Sequence, residues 1–309
     1  MITSVFKKST PLNLILVVIL MLVFFLLYQI QDLTWTDSLV SILKKSGLFL
    51  VLLGSVFITN FVAKRNGLSK DSSYTIFFYF LFLLFFPSSL DNSNLILSNF
   101  FILLALRRLI SLQSLKASRE KIFDASLWIF VASLFHFWSI LYIVLVFISI
   151  IFHVSRDYRN WVLPFIALFS VGTIASVFSI MFDTSIIEFV KTHATVNFKL
   201  DYFANNYQNG AFSIYLTVAL FFLISMFASL SSKPLLLHSS FKKILASFFI
   251  GIAIFVVSAN KSNDLLLYTF APLAIMATSH IEIKQLQLKQ EMVLGVLILC
   301  SLFAFFSQL

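Results

Sequence analysis

Long, continuous runs of apolar residues constrain this chain more than any other feature of its sequence. Of its 309 residues, 60% are hydrophobic and only 11% are charged, whereas about a quarter of the residues in a soluble domain are charged. Backbone groups in lipid must be satisfied within the protein, so only helices or a closed barrel can span a membrane. Continuous runs favour helices over alternating barrel strands. The sequence therefore predicts an all-α, polytopic integral membrane protein, with residues 1–309 forming one domain.

The apolar runs fall into eleven candidate membrane-spanning segments. Their approximate ranges are 11–30, 42–62, 74–87, 93–106, 122–136, 138–153, 160–181, 211–230, 241–258, 263–279 and 291–308. Four of them are shorter than the ~20 residues that a helix needs to cross the hydrocarbon core. These four form two hairpins, at 74–106 and 122–153, which either span the bilayer or re-enter it from one side. Both alternatives leave the sidedness of the other segments unchanged.

The distribution of basic residues predicts the orientation of the chain. If the N-terminus is cytoplasmic, the Lys and Arg residues in outer segments are Lys44, Lys45, Lys191, Lys199 and Lys261, and the others are inside. The positive-inside rule therefore predicts a cytoplasmic N-terminus, and an odd number of spans places the C-terminus outside. The rule also accounts for the net charge of +9 without a nucleic-acid partner. The first helix is expected to stay uncleaved, because residues 31–33 make a poor small-residue cleavage site.

Three connections are long enough to carry function: an outer one at about 31–41, an inner one at about 107–121 and an outer one at about 182–210. The basic inner connection is expected to attract anionic lipid, with docking of a cytoplasmic protein as the alternative. The sequence does not identify such a protein partner.

Two carboxylates, Asp32 and Asp37, follow the first span, with Trp35 between them. They could act as a catalytic base, or they could hold a divalent metal ion as a cofactor through hard oxygen ligands. The alternative is that they are the polar flank of a span and that Trp35 is an interfacial anchor. Apolar residues within 39–45 then share one helical face, which predicts a short helix lying on the membrane surface.

A second candidate site lies in the outer turn that contains Lys261 and Asp264, shortly before Tyr268. A cation at this position could neutralise a phosphate leaving group. The alternative is a surface Lys–Asp pair at a helix start, with Asp264 near the positive end of the helix dipole.

The outer connection at 182–210 mixes polar and aromatic side chains. Among them are His193, Asn205, Asn206, Tyr202, Phe203 and Tyr207. This mixture suits a sugar, through hydrogen bonds to hydroxyl groups and stacking on rings, and the alternative is a solvated connector.

The histidines and the spans exclude other classes of protein. His136 and His193 fall outside, whereas His153, His238 and His280 fall inside, so a four-histidine iron centre would need residues from both sides. Ionisable residues are nearly absent from the spans, which counts against a pump or a proton-coupled transporter. A flippase that handles its substrate through Ser, Asn and Tyr stays open.

Four stretches of the chain resemble an uncharacterised multi-pass membrane family of Bacteroidetes, a domain of unknown function. They are 6–13 (FKKSTPLN), 123–137 (FDAS and ASLFHF at its ends), 155–164 (SRDYRNWVLP) and 263–274 (NDLLLYTFAPLA). The resemblance implies the inner membrane of a Gram-negative bacterium and brings no established activity.

The chain also resembles, at the level of architecture, the GT-C class of membrane glycosyltransferases. That class places a catalytic carboxylate just after its first helix on the outer side, where Asp32 and Asp37 stand. Its late helices often begin with a basic residue and a Tyr before a Pro-rich apolar run, as do Lys261, Tyr268 and Pro272. The chain departs from the class in lacking a large outer domain and an acidic pair in the second outer turn.

These observations lead to two hypotheses from different classes. The first is transfer of a sugar from a polyprenyl-phosphate donor in cell-envelope assembly, with Asp32 or Asp37 as base or metal ligand and Lys261 as phosphate contact. In this hypothesis Asp264, Tyr268 and the 182–210 connection complete the substrate site. The second is a non-enzymatic membrane protein, either a flippase or polymerase partner for a lipid-linked glycan or an assembly subunit.

Overall fold

The computed structural model describes residues 2–199, 205–283 and 286–309, and within them the regular structure is helical. The thirteen α-helices of the described residues are α1 Ile2–Phe6, α2 Pro11–Gln29, α3 Leu39–Arg65, α4 Tyr74–Phe85, α5 Ser93–Ile110, α6 Ser118–Phe135, α7 Ile143–His153, α8 Arg159–Met181, α9 Ile186–His193, α10 Asn206–Leu230, α11 Leu235–Val257, α12 Leu267–Glu282 and α13 Gln287–Ser307. Short 3-10 turns occur at Leu33–Thr36, Pro87–Leu90, Ser111–Ser114, Phe137–Tyr142 and Asn263–Leu266.

The prediction of an all-α chain is confirmed for the described residues, and the prediction of several apolar helices of membrane-spanning length is confirmed with it. Among the described residues, eight segments are long and apolar enough to cross a membrane: Pro11–Gln29, Leu39–Arg65, Ser93–Ser114, Arg159–Met181, Asn206–Leu230, Leu235–Val257, Asn263–Glu282 and Gln287–Ser307. The apolar segments Tyr74–Phe85 and Phe137–His153 are shorter, and α6 carries charged residues in its first turns. The count of eleven crossings therefore stays a prediction.

Several helices begin where the local sequence supplies a cap. The Thr10 hydroxyl accepts a hydrogen bond from Asn13 N–H at 3.3 Å, and Pro11 occupies the first position of α2. Ser38 caps α3 in the same way, through Ser41 N–H at 3.1 Å. Such caps satisfy backbone donors that have no partner within the helix. The predicted surface helix at 39–45 is wrong, because Ser38 starts α3 there and these residues form its first two turns.

One end of the bundle, which we call the N-terminal face, carries the start of the chain and the connections at 66–73, 111–117, 154–158 and 231–234. Ser9 N–H donates to the Asp71 carbonyl at 3.1 Å, and Ser73 N–H donates to the Phe6 carbonyl at 2.9 Å. These bonds fix the chain start against the 66–73 turn.

The opposite end, which we call the distal face, carries the connections at 30–38, 86–92, 182–199 and 258–266. The chain also ends here, since the Gln31 side chain donates to the Leu309 carbonyl at 2.6 Å. The Gln308 side chain likewise donates to the Phe85 carbonyl at 2.9 Å. The predicted cytoplasmic N-terminus would make the distal face the outer face.

The centre of the bundle is formed by α4 and the 263–282 segment that contains α12. Every residue of α4 is buried, as expected for a helix that is apolar on all sides. Rings in and just after α4 pack against those of neighbouring helices: the Phe86 and Tyr215 centroids lie 5.1 Å apart in an edge-to-face arrangement, and the Phe82 centroid lies 6.4 Å from that of Phe270. Offset and edge-to-face ring pairs of this kind stabilise a core beyond the area that they bury. The central helices thus form a rigid support for the connections at both faces.

Helices α11 and α12 approach each other closely at Gly251. A Cβ atom at Gly251 would lie 2.8 Å from Thr269 Cγ2 and 3.2 Å from the Tyr268 carbonyl carbon. Small residues allow such contacts between helix backbones in membranes. The crossing fixes the position of α12 along the axis of α11. It therefore also fixes the position of the turn that joins the two helices.

At the N-terminal face, the predicted basic connection at 107–121 is largely helical and tied down by polar contacts. Arg108 pairs with Asp124 at 2.9 Å, and Arg119 pairs with Asp157 at 2.7 Å. The hydrogen bond that Arg119 donates lowers the pKa of the Asp157 carboxyl. Two of the basic side chains expected to attract anionic lipid are therefore already paired with carboxylates.

Substitution at Gly251 tests the close helix crossing. We expect Gly251→Ala to force α11 and α12 apart and to lower stability by roughly 1–3 kcal/mol, the usual cost of overpacking. The matched control is Gly295→Ala in α13, where a Cβ meets nothing within 4 Å, so helix propensity should raise stability by about 0.5–1 kcal/mol. The measurement is thermal unfolding of the detergent-purified chain followed by circular dichroism. Equal midpoints for the two variants would contradict the crossing.

Labelling of single cysteines tests the orientation. In a Cys300→Ser background, which removes the one native thiol, Lys191→Cys places a thiol at the distal face and Lys116→Cys places one at the N-terminal face. We expect a membrane-impermeant maleimide to label the first variant in intact spheroplasts, and the second only after the membrane is permeabilised. The reverse pattern would show that the N-terminal face lies outside.

Candidate functional site

Polar side chains and backbone groups from well-separated parts of the sequence meet at the distal face. We call this group of residues the distal cluster. Its members are Lys45, Ser88, Asp91, Asn92, Asn197, Ser258, Lys261 and Asp264.

The carboxylate of Asp264 lies inside the cluster, in the 3-10 turn before α12, and the residue is 8% exposed. It accepts a hydrogen bond from the Ser88 hydroxyl, and the side chains of Asn92 and Ser262 also bond to it. A buried carboxylate needs such partners, because desolvation without them is costly. Asp264 therefore joins the 86–92 connection to the start of α12.

Lys45 and Asp91 form an ion pair that joins the start of α3 to the same 86–92 connection. Tyr28, near the end of α2, lies within electrostatic range of both Asp91 and Asp264. The pairing of Lys45 with Asp91 was not foreseen from the sequence, where the two residues lie 46 positions apart. The cluster thus reaches across to the ends of α2 and α3.

Lys261 joins the 182–199 connection to the turn after α11. Its ammonium group donates to the carbonyl of Asn197 and, at 2.9 Å, to the carbonyl of Ser258. Backbone pairing strengthens the junction, because Val196 and Ser258 form a β-bridge and Asn197 N–H donates to the Val257 carbonyl at 3.3 Å. The structure therefore brings Lys261 and this connection together. Lys261 and Asp264 do not form the surface pair that was the alternative prediction, because each side chain bonds to other partners.

The predicted sugar-binding connection is partly helical. It contains α9, and its last residues belong to α10, for which Asn205 is the cap: its side-chain oxygen accepts from Tyr207 N–H at 2.9 Å. Asn206 begins α10, and both asparagines are exposed. His193 ends α9 and is exposed, with its ring stacked on Phe189 at 4.4 Å between centroids. Residues 200–204, which include the predicted contacts Tyr202 and Phe203, lie outside the described residues.

Tyr268 lies beneath the cluster and is 1% exposed. Its hydroxyl donates to Ser98 Oγ at 2.7 Å, and its ring centroid lies 5.9 Å from that of His136. His136 Nε2 in turn lies 3.3 Å from Ser258 Oγ. The predicted substrate contact Tyr268 is therefore buried and does not reach the surface of the distal face.

Asp32 and Asp37 lie in the exposed 30–38 connection. Trp35 is folded back on this connection, since its indole N–H donates to the Gln29 carbonyl at 3.2 Å. Tyr28, one helical turn before Asp32, is the residue within electrostatic range of Asp91 and Asp264. The helix end that carries the two predicted catalytic carboxylates therefore borders the distal cluster. Among the described residues, no group of three His, Cys, Asp or Glu side chains is placed to hold a metal ion.

An apolar groove of about 700 Å³ opens between α6 and α8, and α9 lies across it. Phe137, which directly follows His136, is among the lining residues. His136 is not itself a lining residue, and its Nε2 lies 3.3 Å from Ser258 Oγ of the distal cluster. Sequence periodicity gave no sign of the groove, because its residues come from three separate helices and a turn.

No curated protein and no solved structure matches the chain. The sequence profile of a family of unknown function (DUF6427) matches residues 1–309, which is the full length given. The chain therefore belongs to this family of unknown function, DUF6427.

Proposed function

We propose that the protein transfers a sugar from a polyprenyl-phosphate donor to an acceptor at the distal face. The observation that carries the proposal is the placement of Lys261, whose ammonium is held at the distal face by two neutral backbone carbonyls. A donor of this class carries a phosphate, for which a fixed cation is a suitable contact.

The environment of Lys261 suits a phosphate contact. A Lys ammonium has three N–H donors, and two of them bond to the neutral carbonyls of Asn197 and Ser258. Neutral acceptors fix the position of the ammonium group without cancelling its charge. The third donor and the charge are therefore available to a phosphate oxygen, and a preorganised cation stabilises developing negative charge better than a mobile one.

The proposed reaction is a displacement at the anomeric carbon of the donor. An acceptor hydroxyl oxygen forms a bond to that carbon, and the bond from the carbon to the phosphate oxygen breaks. The polyprenyl phosphate leaves with the electron pair, next to Lys261. Asp32 or Asp37 takes the proton of the acceptor hydroxyl, which is the role of a general base.

The exposed residues around the cluster are suited to the sugar and the acceptor. His193, Asn205 and Asn206 present ring and amide groups to solvent, and such groups hydrogen-bond to hydroxyls. In a metal-dependent form of the reaction, Asp32 and Asp37 would supply oxygen ligands for a divalent ion that also contacts the donor phosphate. Asp264 and Asp91 are already engaged with Ser88 and Lys45, so we assign them to holding the site together.

Asparagine substitutions test the proposal. We expect Asp32→Asn or Asp37→Asn, whichever removes the base, to lower the transfer rate by roughly 10²–10⁴-fold, the usual contribution of a general base. The matched control is Asp71→Asn, which alters a carboxylate of the N-terminal face whose side chain is 86% exposed and should leave transfer unchanged. A comparison of glycans and lipid-linked intermediates between a deletion strain and its parent first identifies the donor. Transfer of labelled sugar is then measured in membranes with matched expression.

One outcome separates the two classes of function. If Asp32→Asn, Asp37→Asn and the double variant all retain full function in the deletion strain, the transferase proposal fails. The alternative, a flippase or polymerase partner for a lipid-linked glycan or an assembly subunit, would then account for the distal cluster as a binding site without chemistry.

A further inference from the structure

We infer that a pocket at the N-terminal face binds a small phosphate ester that also bears an ammonium group, either as the head group of a lipid or as a free molecule. The pocket lies at the end of the bundle opposite the distal cluster, so the inference does not rest on the proposed function. Its volume of about 450 Å³ lies within the ~300–1,000 Å³ typical of small-molecule sites.

The pocket is formed by three separate parts of the chain: the first residues, the segment at 70–74, and the end of α12 with the start of α13. All of its lining residues except Ile281 and Ile283 are polar or charged. A hydrocarbon chain in this pocket would leave the polar groups without partners, which is costly. The ligand of the pocket is therefore polar.

Hydrogen bonds hold the walls of the pocket together. The Tyr74 hydroxyl donates to the Thr3 carbonyl at 2.6 Å, and the Thr3 N–H donates to the Glu291 carboxylate at 3.1 Å. The Gln290 side chain donates to the Ile281 carbonyl at 2.8 Å. These bonds join the start of the chain to α4 and α13, and the end of α12 to α13. A site that is fixed before the ligand arrives loses less conformational freedom on binding.

Two lysines, Lys7 and Lys70, form an exposed rim above the buried residues Thr3, Ser72 and Tyr74. The Lys70 ammonium donates to the carbonyl of Glu282 at 2.9 Å, which is a neutral acceptor and leaves two of its three N–H donors. Within the described residues, neither lysine takes part in an ion pair. Two cations at one rim suit a phosphate, which accepts several charged hydrogen bonds.

The carboxylate of Glu282 provides negative charge in the same pocket. It accepts hydrogen bonds from the Ser72 hydroxyl at 2.7 Å and from the Lys70 backbone N–H at 2.9 Å. These neutral donors fix the carboxylate without cancelling its charge, and it has about four acceptor positions in all. Lys233 lies within electrostatic range of Glu282, but its ammonium donates to the Ser279 hydroxyl at 2.7 Å. The remaining positions of the carboxylate can accept from a ligand ammonium.

Opposite charges held apart in one pocket are complementary to a ligand that bears both. A neutral sugar would leave the charge of Lys7 and Lys70 unmatched, and a simple anion would leave that of Glu282 unmatched. An ammonium–phosphate compound matches all three. Its source can be the membrane, because exposed Leu286 and Leu288 flank the lining residue Gln287 and offer apolar surface to lipid chains. It can also be the aqueous phase, because the rim is exposed.

A comparison of head groups tests the inference. Binding of phosphatidylethanolamine, phosphatidylcholine and phosphatidylglycerol with equal acyl chains to the purified, delipidated full chain is measured by native mass spectrometry. We expect phosphatidylethanolamine to bind at least about tenfold tighter than the other two, because phosphatidylcholine has no N–H donor and phosphatidylglycerol has no cation. Glu282→Gln should abolish the preference over phosphatidylglycerol, whereas Glu120→Gln, at an exposed position outside the pocket, should retain it. Equal affinities for the three lipids would overturn the inference.

The phosphate contact has its own pair of variants. We expect Lys7→Met to weaken binding of phosphatidylethanolamine about tenfold or more, as for the loss of a charged hydrogen bond, and Lys7→Arg to retain it. The matched control is Lys8→Met, because Lys8 is the adjacent exposed lysine and does not line the pocket. Lys7 is exposed, so its variants should fold even if Glu282→Gln does not. Equal binding by Lys7→Met and Lys8→Met would contradict the assignment.

The free molecule O-phosphoethanolamine distinguishes the two sources. If it binds as tightly as phosphatidylethanolamine, the ligand is a free amino phosphate. If the lipid binds at least about tenfold tighter, the ligand is a lipid head group. Failure of both to bind overturns the inference even if sugar transfer is found at the distal face, and selective binding supports it even if transfer is absent.

Discussion

The structure depends on one constraint, which is that a polar group inside the apolar bundle must find a partner there. In the centre, the Tyr79 hydroxyl meets this constraint by accepting a hydrogen bond from the Asn99 side-chain N–H at 3.0 Å. Thr75 and Thr278 do so between α4 and α12 at 3.1 Å. Because these partners come from different helices, each bond also fixes the relative position of two helices. The few polar residues of the interior thereby specify how an otherwise uniform set of apolar helices packs.

The same constraint shapes the distal face. Asp264 is buried at the start of α12, so its partners Ser88 and Asn92 must lie beside it, and the 86–92 connection is held in place. Lys45 and Asp91 then attach the start of α3 to that connection. The site is thus assembled by contacts between connections, while the central helices keep the distances between those connections constant.

The sequence predicted the helical membrane class well, because continuous apolar runs and helix caps are local signals. It also placed Lys261 and the 182–210 connection on one face, since alternation of spans determines sidedness. Local signals could not show that Asp264 bonds to Ser88, which lies 176 positions away. They also could not show the groove, because an apolar residue facing a groove and one facing lipid have the same periodicity. The predicted surface helix at 39–45 failed for a related reason: a short amphipathic pattern does not reveal whether the helix continues.

Lys243 and Lys261 both donate hydrogen bonds to backbone carbonyls. A comparison of the two side chains favours Lys261 as the ligand contact. Lys243 donates to the Leu109 carbonyl at 2.6 Å and lies 3.1 Å from His153 Nε2, but it is fully buried. Leu109 is near the end of α5, where backbone carbonyls lack helical partners, so Lys243 acts as a cap. Lys261 is also held by carbonyls, yet it is only half-buried. Lys45, the other basic member of the distal cluster, has its charge neutralised by Asp91. Of these three cations, Lys261 therefore combines a fixed position, a charge that its carbonyl partners leave uncancelled and access for a lipid phosphate.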